Sequence, residues 1–311
     1  MGAGFERIEK GRSDLTMYQY IDETNSNLGV NTDTGEVMEV VTMILPIGST
    51  VYTPEQKRAF KEWQNQTAKR EYRRQAQSEL GYFYFILSEY RFGKLSAETV
   101  TRLIYLCTFL NYNGEFMKTQ RQHMKKSDLQ NVLGLSKGSV FNFCKEVIPN
   151  YIVDNGNDGL VLNCSEIIRG KLTNSENQYK KFYIKAIQTI YQATPVSRHK
   201  HLGYVFQLLP YINNEYNIIC SNPYEPELNK IEPLSVAEIC DLIGYEKSNI
   251  CKLMKIYQNI TFEYKNQQEY FLTFVTNKVE AESTRCFVNP HILYSGSNFQ
   301  KVEVLGAFVK V

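Results

Sequence analysis

The residues with the most chemistry to offer form two short polar sets, each on one side of an apolar stripe. Lys247, Ser248, Asn249, Lys252 and Lys255 make up the first. Lys137, Ser139, Asn142 and Lys145 make up the second, about one hundred residues upstream. Ammonium groups attract phosphate oxygens, while Ser and Asn side chains can both donate to and accept from base edges in a groove. Lys137, Ser139, Asn142, Lys247, Ser248, Asn249 and Lys252 are therefore the candidates for reading bases. Arg70, Arg73, Arg74, Lys125, Lys126, Lys145, Arg198 and Lys255 are the candidates for phosphate contact.

Two helices joined by a glycine turn must position each set. Around the first set, Ser235 suits an N-cap, because its hydroxyl can accept from a free first-turn amide. Val236, Ile239, Cys240 and Ile243 follow at helical spacing, and Gly244 can take the left-handed conformation that ends a helix. A second helix is expected from Lys247–Ser248, with Ile250, Leu253, Met254 and Tyr257 facing inward. Upstream the plan recurs: Leu129, Val132 and Leu133, then Gly134, then Ser136 as cap, then Val140, Phe143 and Val147. One such unit alone is equally well two helices of an ordinary α-domain. Two copies, each with a glycine turn and a Lys/Ser/Asn outer face, point to helix-turn-helix units in major grooves.

After Val147, two β-prone runs flank Asn155-Gly-Asn-Asp-Gly159, a hairpin signal placed where a wing would follow a recognition helix. The segment closes on Asn163 and Gly170, echoed by Asn289 and Gly296. The wing ends are offset by more than the helical units, so the second copy carries extra residues between Thr261 and Arg285. Upstream, two strands are expected around Asp33-Thr34-Gly35. A helix capped at Thr53–Pro54 then carries Lys57, Arg58, Lys61, Lys69, Arg70, Arg73 and Arg74 against Glu62 and Glu71. A solvated helix surface is the ordinary meaning of such a run, and a phosphate-contacting arm is the functional one.

The expected fold is mainly α with small β (α+β): two tandem winged helix-turn-helix domains preceded by a β-hairpin and a basic helix. The boundaries read as 1–78 for the hairpin and basic helix and 79–173 for the first winged helix. Residues 174–194 read as a linker and connecting helix, the latter from Tyr179 to Gln192, and 195–311 as the second winged helix.

Several classes of function find no support. The 311 residues carry a net charge of only +2, so any basic surface must be local. No phosphate-binding Gly-rich loop and no nucleophile elbow occur, so no enzyme is expected. The seven cysteines are scattered and never at metal-finger spacing, and Asp33 and Glu36 lack the other oxygens of a calcium loop, so neither metal nor cofactor is expected. His199-Lys200-His201 could suggest a nickase metal pair, but the central lysine would set a cation beside the ion; solvated or phosphate-contacting histidines are expected. No apolar run approaches membrane length and no apolar leader core is present, which fits a cytoplasmic chain with reduced thiols.

Asn31-Thr-Asp-Thr-Gly-Glu-Val37 before a Trp-containing helix, the paired helix-turn-helix units and Phe287-Val-Asn-Pro-His-Ile-Leu-Tyr-Ser-Gly296 together resemble the winged-helix replication proteins of Gram-positive plasmids and phages, including the RepL-type group. The first wing departs from that pattern, with Asn163–Cys164 in place of Asn-Pro, which suits a first domain turned toward dimerisation or packing. The resemblance implies binding of repeated origin DNA and recruitment of host replication proteins. Double-stranded DNA, host replication proteins and a second copy of the chain are the expected partners, with no membrane. A transcriptional repressor or regulator of a phage or plasmid is the alternative. A winged-helix scaffold for protein partners is the third, suggested by near-neutral charge and an outward Phe141.

Overall fold

The computed structural model describes residues 18–20, 28–31, 37–39, 54–172, 178–276, 284–296 and 298–310. Helix and strand are mixed along the chain, an α+β architecture. Two compact units divide it, residues 1–63 and 64–311.

In the first unit, β1 (Tyr18–Tyr20), β2 (Leu28–Asn31) and β3 (Val37–Glu39) pair antiparallel in that order. The expected strand pair is β2–β3, and β1 is a third strand beside it. The Asp33-Thr34-Gly35 turn and the Thr53 cap lie outside the described residues. Helix α1 (Pro54–Leu80) opens on proline, whose missing N–H costs nothing in a first turn. It has no apolar stripe, and every residue from Glu55 to Gln64 is exposed.

The second unit is two repeats sharing one sheet. The first repeat runs β4 (Phe83–Leu87), α2 (Ala97–Leu106), β5 (Met117–Thr119), β6 (Gln122–His123), α3 (Leu129–Leu133), α4 (Lys137–Val147), β7 (Ile152–Asp154), β8 (Leu160–Leu162) and β9 (Ile167–Ile168). The second runs β10 (Tyr179–Tyr183), α5 (Ile184–Ala193), α6 (His199–Gln207), α7 (Val236–Ile243), α8 (Ile250–Tyr257), β11 (Thr261–Tyr264), β12 (Gln267–Tyr270), β13 (Leu272–Thr276), β14 (Thr284–Val288), β15 (Leu293–Tyr294) and α9 (Gln300–Gly306). The shared sheet has the order β15-β10-β4-β9, antiparallel throughout. Each repeat thus gives its opening strand to the centre and its closing strand to an edge.

Helix α2 starts at Ser96, whose hydroxyl accepts from the Thr99 amide, and is buried on nearly every side. Such burial marks a central position, and it takes in Thr99, Thr101 and Arg102 as well as the apolar residues. Helix α2 packs on α6 so closely that a Cβ on Gly203 would lie 1.8 Å from the Ala97 carbonyl oxygen. Thr101 Oγ1 donates to the His199 carbonyl at 2.7 Å in the same seam.

The two hairpins that follow the helical units end alike. The Asn163 amide donates to the Tyr151 carbonyl at 2.8 Å, and the Asn289 amide donates to the Phe271 carbonyl at 3.0 Å. Their side-chain amides reach back the same way, Asn163 to Pro149 O at 3.2 Å and Asn289 to Tyr270 O at 2.9 Å. In this alignment β7–β8 matches β13–β14, and the extra residues of the second repeat are the β11–β12 hairpin ahead of them and a longer stretch of sequence between β13 and β14.

Two expectations are corrected. Tyr179 to Tyr183 is a strand at the middle of the sheet, not the start of a helix, and the helix begins at Ile184. The 174–194 segment therefore carries a central sheet strand where the first part of its helix was expected. His199 and His201 are not solvated: they are 1% and 5% exposed on α6.

Candidate nucleic-acid interface

The α7–α8 pair forms because its caps close both ends of the first helix. The Glu238 amide donates to Ser235 Oγ at 3.2 Å and the Ser235 amide donates to Glu238 Oε2 at 2.8 Å, a reciprocal capping box. The Ser235 hydroxyl also donates to Glu238 Oε2, at 2.7 Å, and this bond first, then the Ser235 amide, holds the Glu238 carboxyl below its ordinary pKa. Gly244 ends α7 at φ 64°, a left-handed conformation that glycine adopts without strain. The Tyr245 amide then donates to Cys240 O at 2.8 Å. A tight 3-10 turn, Lys247–Asn249, precedes α8, so Lys247, Ser248 and Asn249 stand at its entrance. Leu253 and Tyr257 are buried beneath.

Helices α3 and α4 repeat this closure at matching positions. Gly134 is left-handed at φ 63°, the Leu135 amide donates to Gln130 O at 3.1 Å, and Ser136 caps α4 by accepting from the Ser139 amide. Phe143, Cys144 and Val147 face the core.

The outer face of α8 lines an open groove with Arg198, Ser248, Asn249, Cys251, Lys252, Lys255, Ile256 and Asn259. Arg198 comes from the turn just before α6, so a second element adds a cation beside the two lysines. Five of the candidates, Arg198, Ser248, Asn249, Lys252 and Lys255, are brought together here. Asn259 was not anticipated, although the spacing 248, 252, 255, 259 along one helical face carries the signal. Two acids engage candidate residues of this unit. Asp241 pairs with Lys247 at 2.7 Å, and Glu246 accepts from Asn249 Nδ2 at 3.0 Å.

The remaining candidates lie elsewhere. Lys137, Asn142 and Lys145 are exposed on α4 and Ser139 is half-buried, with Phe141 70% exposed among them. Lys125 and Lys126 are exposed beside Asp128, which accepts from Lys118 Nζ at 2.7 Å and from the Lys125 amide at 2.9 Å. Those contacts hold the Asp128 carboxyl low, the Lys118 hydrogen bond first. Arg74 lines a separate depression with Gln77, Ser78, Gly81 and Tyr82. Arg70 is exposed on α1, and the Arg73 side chain lies outside the described residues.

His199 Nε2 lies 3.1 Å from Thr194 O, and burial first of all pushes both His199 and His201 toward the neutral form. Among the described residues no cluster of three or more His, Cys, Asp or Glu could hold a metal ion, and no helix is long and apolar enough to cross a membrane. Set against protein-family models, curated proteins and solved structures, the chain matches none.

Proposed function

We propose that this chain is a sequence-specific binder of double-stranded DNA, built on two tandem winged helices, that initiates replication of a plasmid or phage. The observation that carries the proposal is the groove on α8, where Arg198, Lys252 and Lys255 surround Ser248, Asn249 and Asn259. Three cations can neutralise backbone phosphates while short polar side chains reach base edges, the division of labour that duplex recognition requires. Hairpins β7–β8 and β13–β14 follow α4 and α8 as wings. Helices α4 and α8 enter major grooves, with Lys137, Ser139 and Asn142 as the reading set of the first.

Initiation is favoured by the resemblance to RepL-type replication proteins. Repression of transcription is the second reading, since the groove asks only for duplex DNA. The protein works in the cytoplasm without catalysis, and its further partners are host replication proteins and a second copy of itself.

Binding to labelled random duplex at about 50 and 200 mM salt tests the DNA reading, because displaced counterions make affinity fall ~10³–10⁵-fold for six to ten phosphate contacts. No binding at the lower salt overturns it. Replication of an otherwise inert circle carrying the gene and its flanking DNA separates initiator from repressor.

A further inference from the structure

Successive residues of a strand point to opposite faces, so the central sheet has two distinct sides. Tyr84, Ile86, Lys180 and Phe182 are buried on one. Phe83, Phe85 and Leu87 of β4 lie on the other, paired in register with Tyr183, Lys181 and Tyr179 of β10. One end of this second side is closed: Leu80, Phe299 and Val302 pack with Tyr183 and Tyr294, and Phe83 packs against them. Among the described residues the closure stops there. Phe85, Leu87 and Tyr179 are half-buried and, among the described residues, join neither apolar core.

A solvated face of an antiparallel sheet ordinarily carries polar residues. This one carries a row of rings. Phe83 meets Phe85 edge to face with centroids 5.1 Å apart, and Phe85 meets Tyr179 likewise at 6.2 Å. Lys181 lies among them, its Nζ 5.5 Å from the Phe83 centroid.

We propose that this open half of the sheet binds single-stranded nucleic acid, with bases stacking on Phe85 and Tyr179 and the backbone meeting Lys181. Rings on a sheet beside a cation match what a single strand presents, unstacked π-faces along a polyanion. Duplex DNA hides its base faces in its own stack and offers this surface only its charge. The site is separate from the groove on α8, so the two can fail independently. An initiator that holds a duplex on α8 could hold a parted strand here.

The test uses the full chain and a fluorescent oligothymidylate of roughly 20 nucleotides, read by anisotropy beside a labelled duplex. Phe85→Leu and Tyr179→Leu keep apolar bulk and remove the π-face. Each is expected to weaken oligothymidylate binding at least about fivefold, the lower end for one lost base–aromatic stack, and to leave duplex binding unchanged. Lys252→Ala is expected to do the reverse, and thermal melts confirm that each variant folds. Failure of the unaltered chain to bind oligothymidylate at about 50 mM salt overturns the proposal, and duplex binding in that sample leaves the recognition reading standing. Single-strand binding that both leucine variants retain also overturns it. So does a dimer that Phe85→Leu dissolves without any single-strand binding, which would assign the face to a second copy.

Discussion

The Tyr257 hydroxyl donates to the His201 carbonyl at 3.0 Å, tying the last residue of α8 to the helix that packs against α2. Both partners are buried, so the bond fixes α8 to the buried centre of the unit. Tyr257→Phe removes the donor, while the carbonyl stays within helix α6. A loss of about 1 kcal/mol is expected, the usual worth of one buried hydrogen bond. In a chain of this size that lowers Tm by roughly 2–4 °C. Duplex affinity should fall with it if α8 is the reading helix. An unchanged melt would show that water replaces the phenol there.

Gly203 sets the distance between α2 and α6. An added methyl would meet the Ala97 carbonyl oxygen, carbon and Cα, all backbone atoms that cannot rotate away. Gly203→Ala is therefore expected to cost about 3 kcal/mol or more, at or above the top of the usual overpacking range. Thermal melts read the loss directly. Gly138 on α4 is the matched control, because a methyl added there would meet no atom within 4 Å, and it should tolerate alanine.

His291 makes stability depend on pH. Its Nδ1 lies 2.7 Å from Glu269 Oε2 and its Nε2 lies 2.6 Å from Glu303 Oε1, with Tyr264 stacked on the ring at 3.9 Å. Burial lowers the imidazole pKa, but the Glu269 hydrogen bond and the close carboxylates of Glu269 and Glu303 outweigh it and the net shift is upward. A folded pKa above the unfolded one means stabilisation that is full below the unfolded value, about 6.5, and lost as pH rises through the folded value. Melts across that window should show the unaltered chain losing its advantage over His291→Gln as pH increases. A constant difference would mean that the imidazole does not titrate there.

The helical units are legible in the sequence because their signals are local. Ser136, Gly134, Ser235 and Gly244 cap and end helices through atoms a few residues away. Strand β10 is not legible. Tyr179, Phe182 and Tyr183 fall at i, i+3 and i+4, which mimics a helical stripe running into Ile184. Pairing with β4, nearly a hundred positions upstream, overrides that pattern. The burial of the two histidines is hidden for a similar reason. Their polar type suggests solvent, while tertiary neighbours enclose them: Tyr191 and Thr194 beside His199, and Tyr204 and Tyr257 beside His201. Arg198 reads as a phosphate contact by its type, yet nothing local to it shows that it stands beside α8.

On the proposed reading, the groove on α8 separates affinity from selectivity. Arg198 and Lys255 carry charge without sequence information, so replacing either with Ala should weaken all duplexes alike and reduce the salt slope by about one phosphate. If Asn249 and Lys252 read base edges, their alanine variants should flatten preference among sequences, by ~1–3 kcal/mol for a bidentate contact. Glu246 adds a further handle, because it accepts from Asn249 Nδ2 at 3.0 Å and so competes with any base for that amide. Glu246→Gln removes an anion beside Asn249 and frees the amide at lower cost. Duplex affinity should rise in this variant, most clearly at low salt where one charge is least screened. Titrations of these variants against selected and scrambled duplexes read all of these effects. An affinity that Glu246→Gln lowers would show that the carboxylate positions Asn249 for reading instead of withholding it.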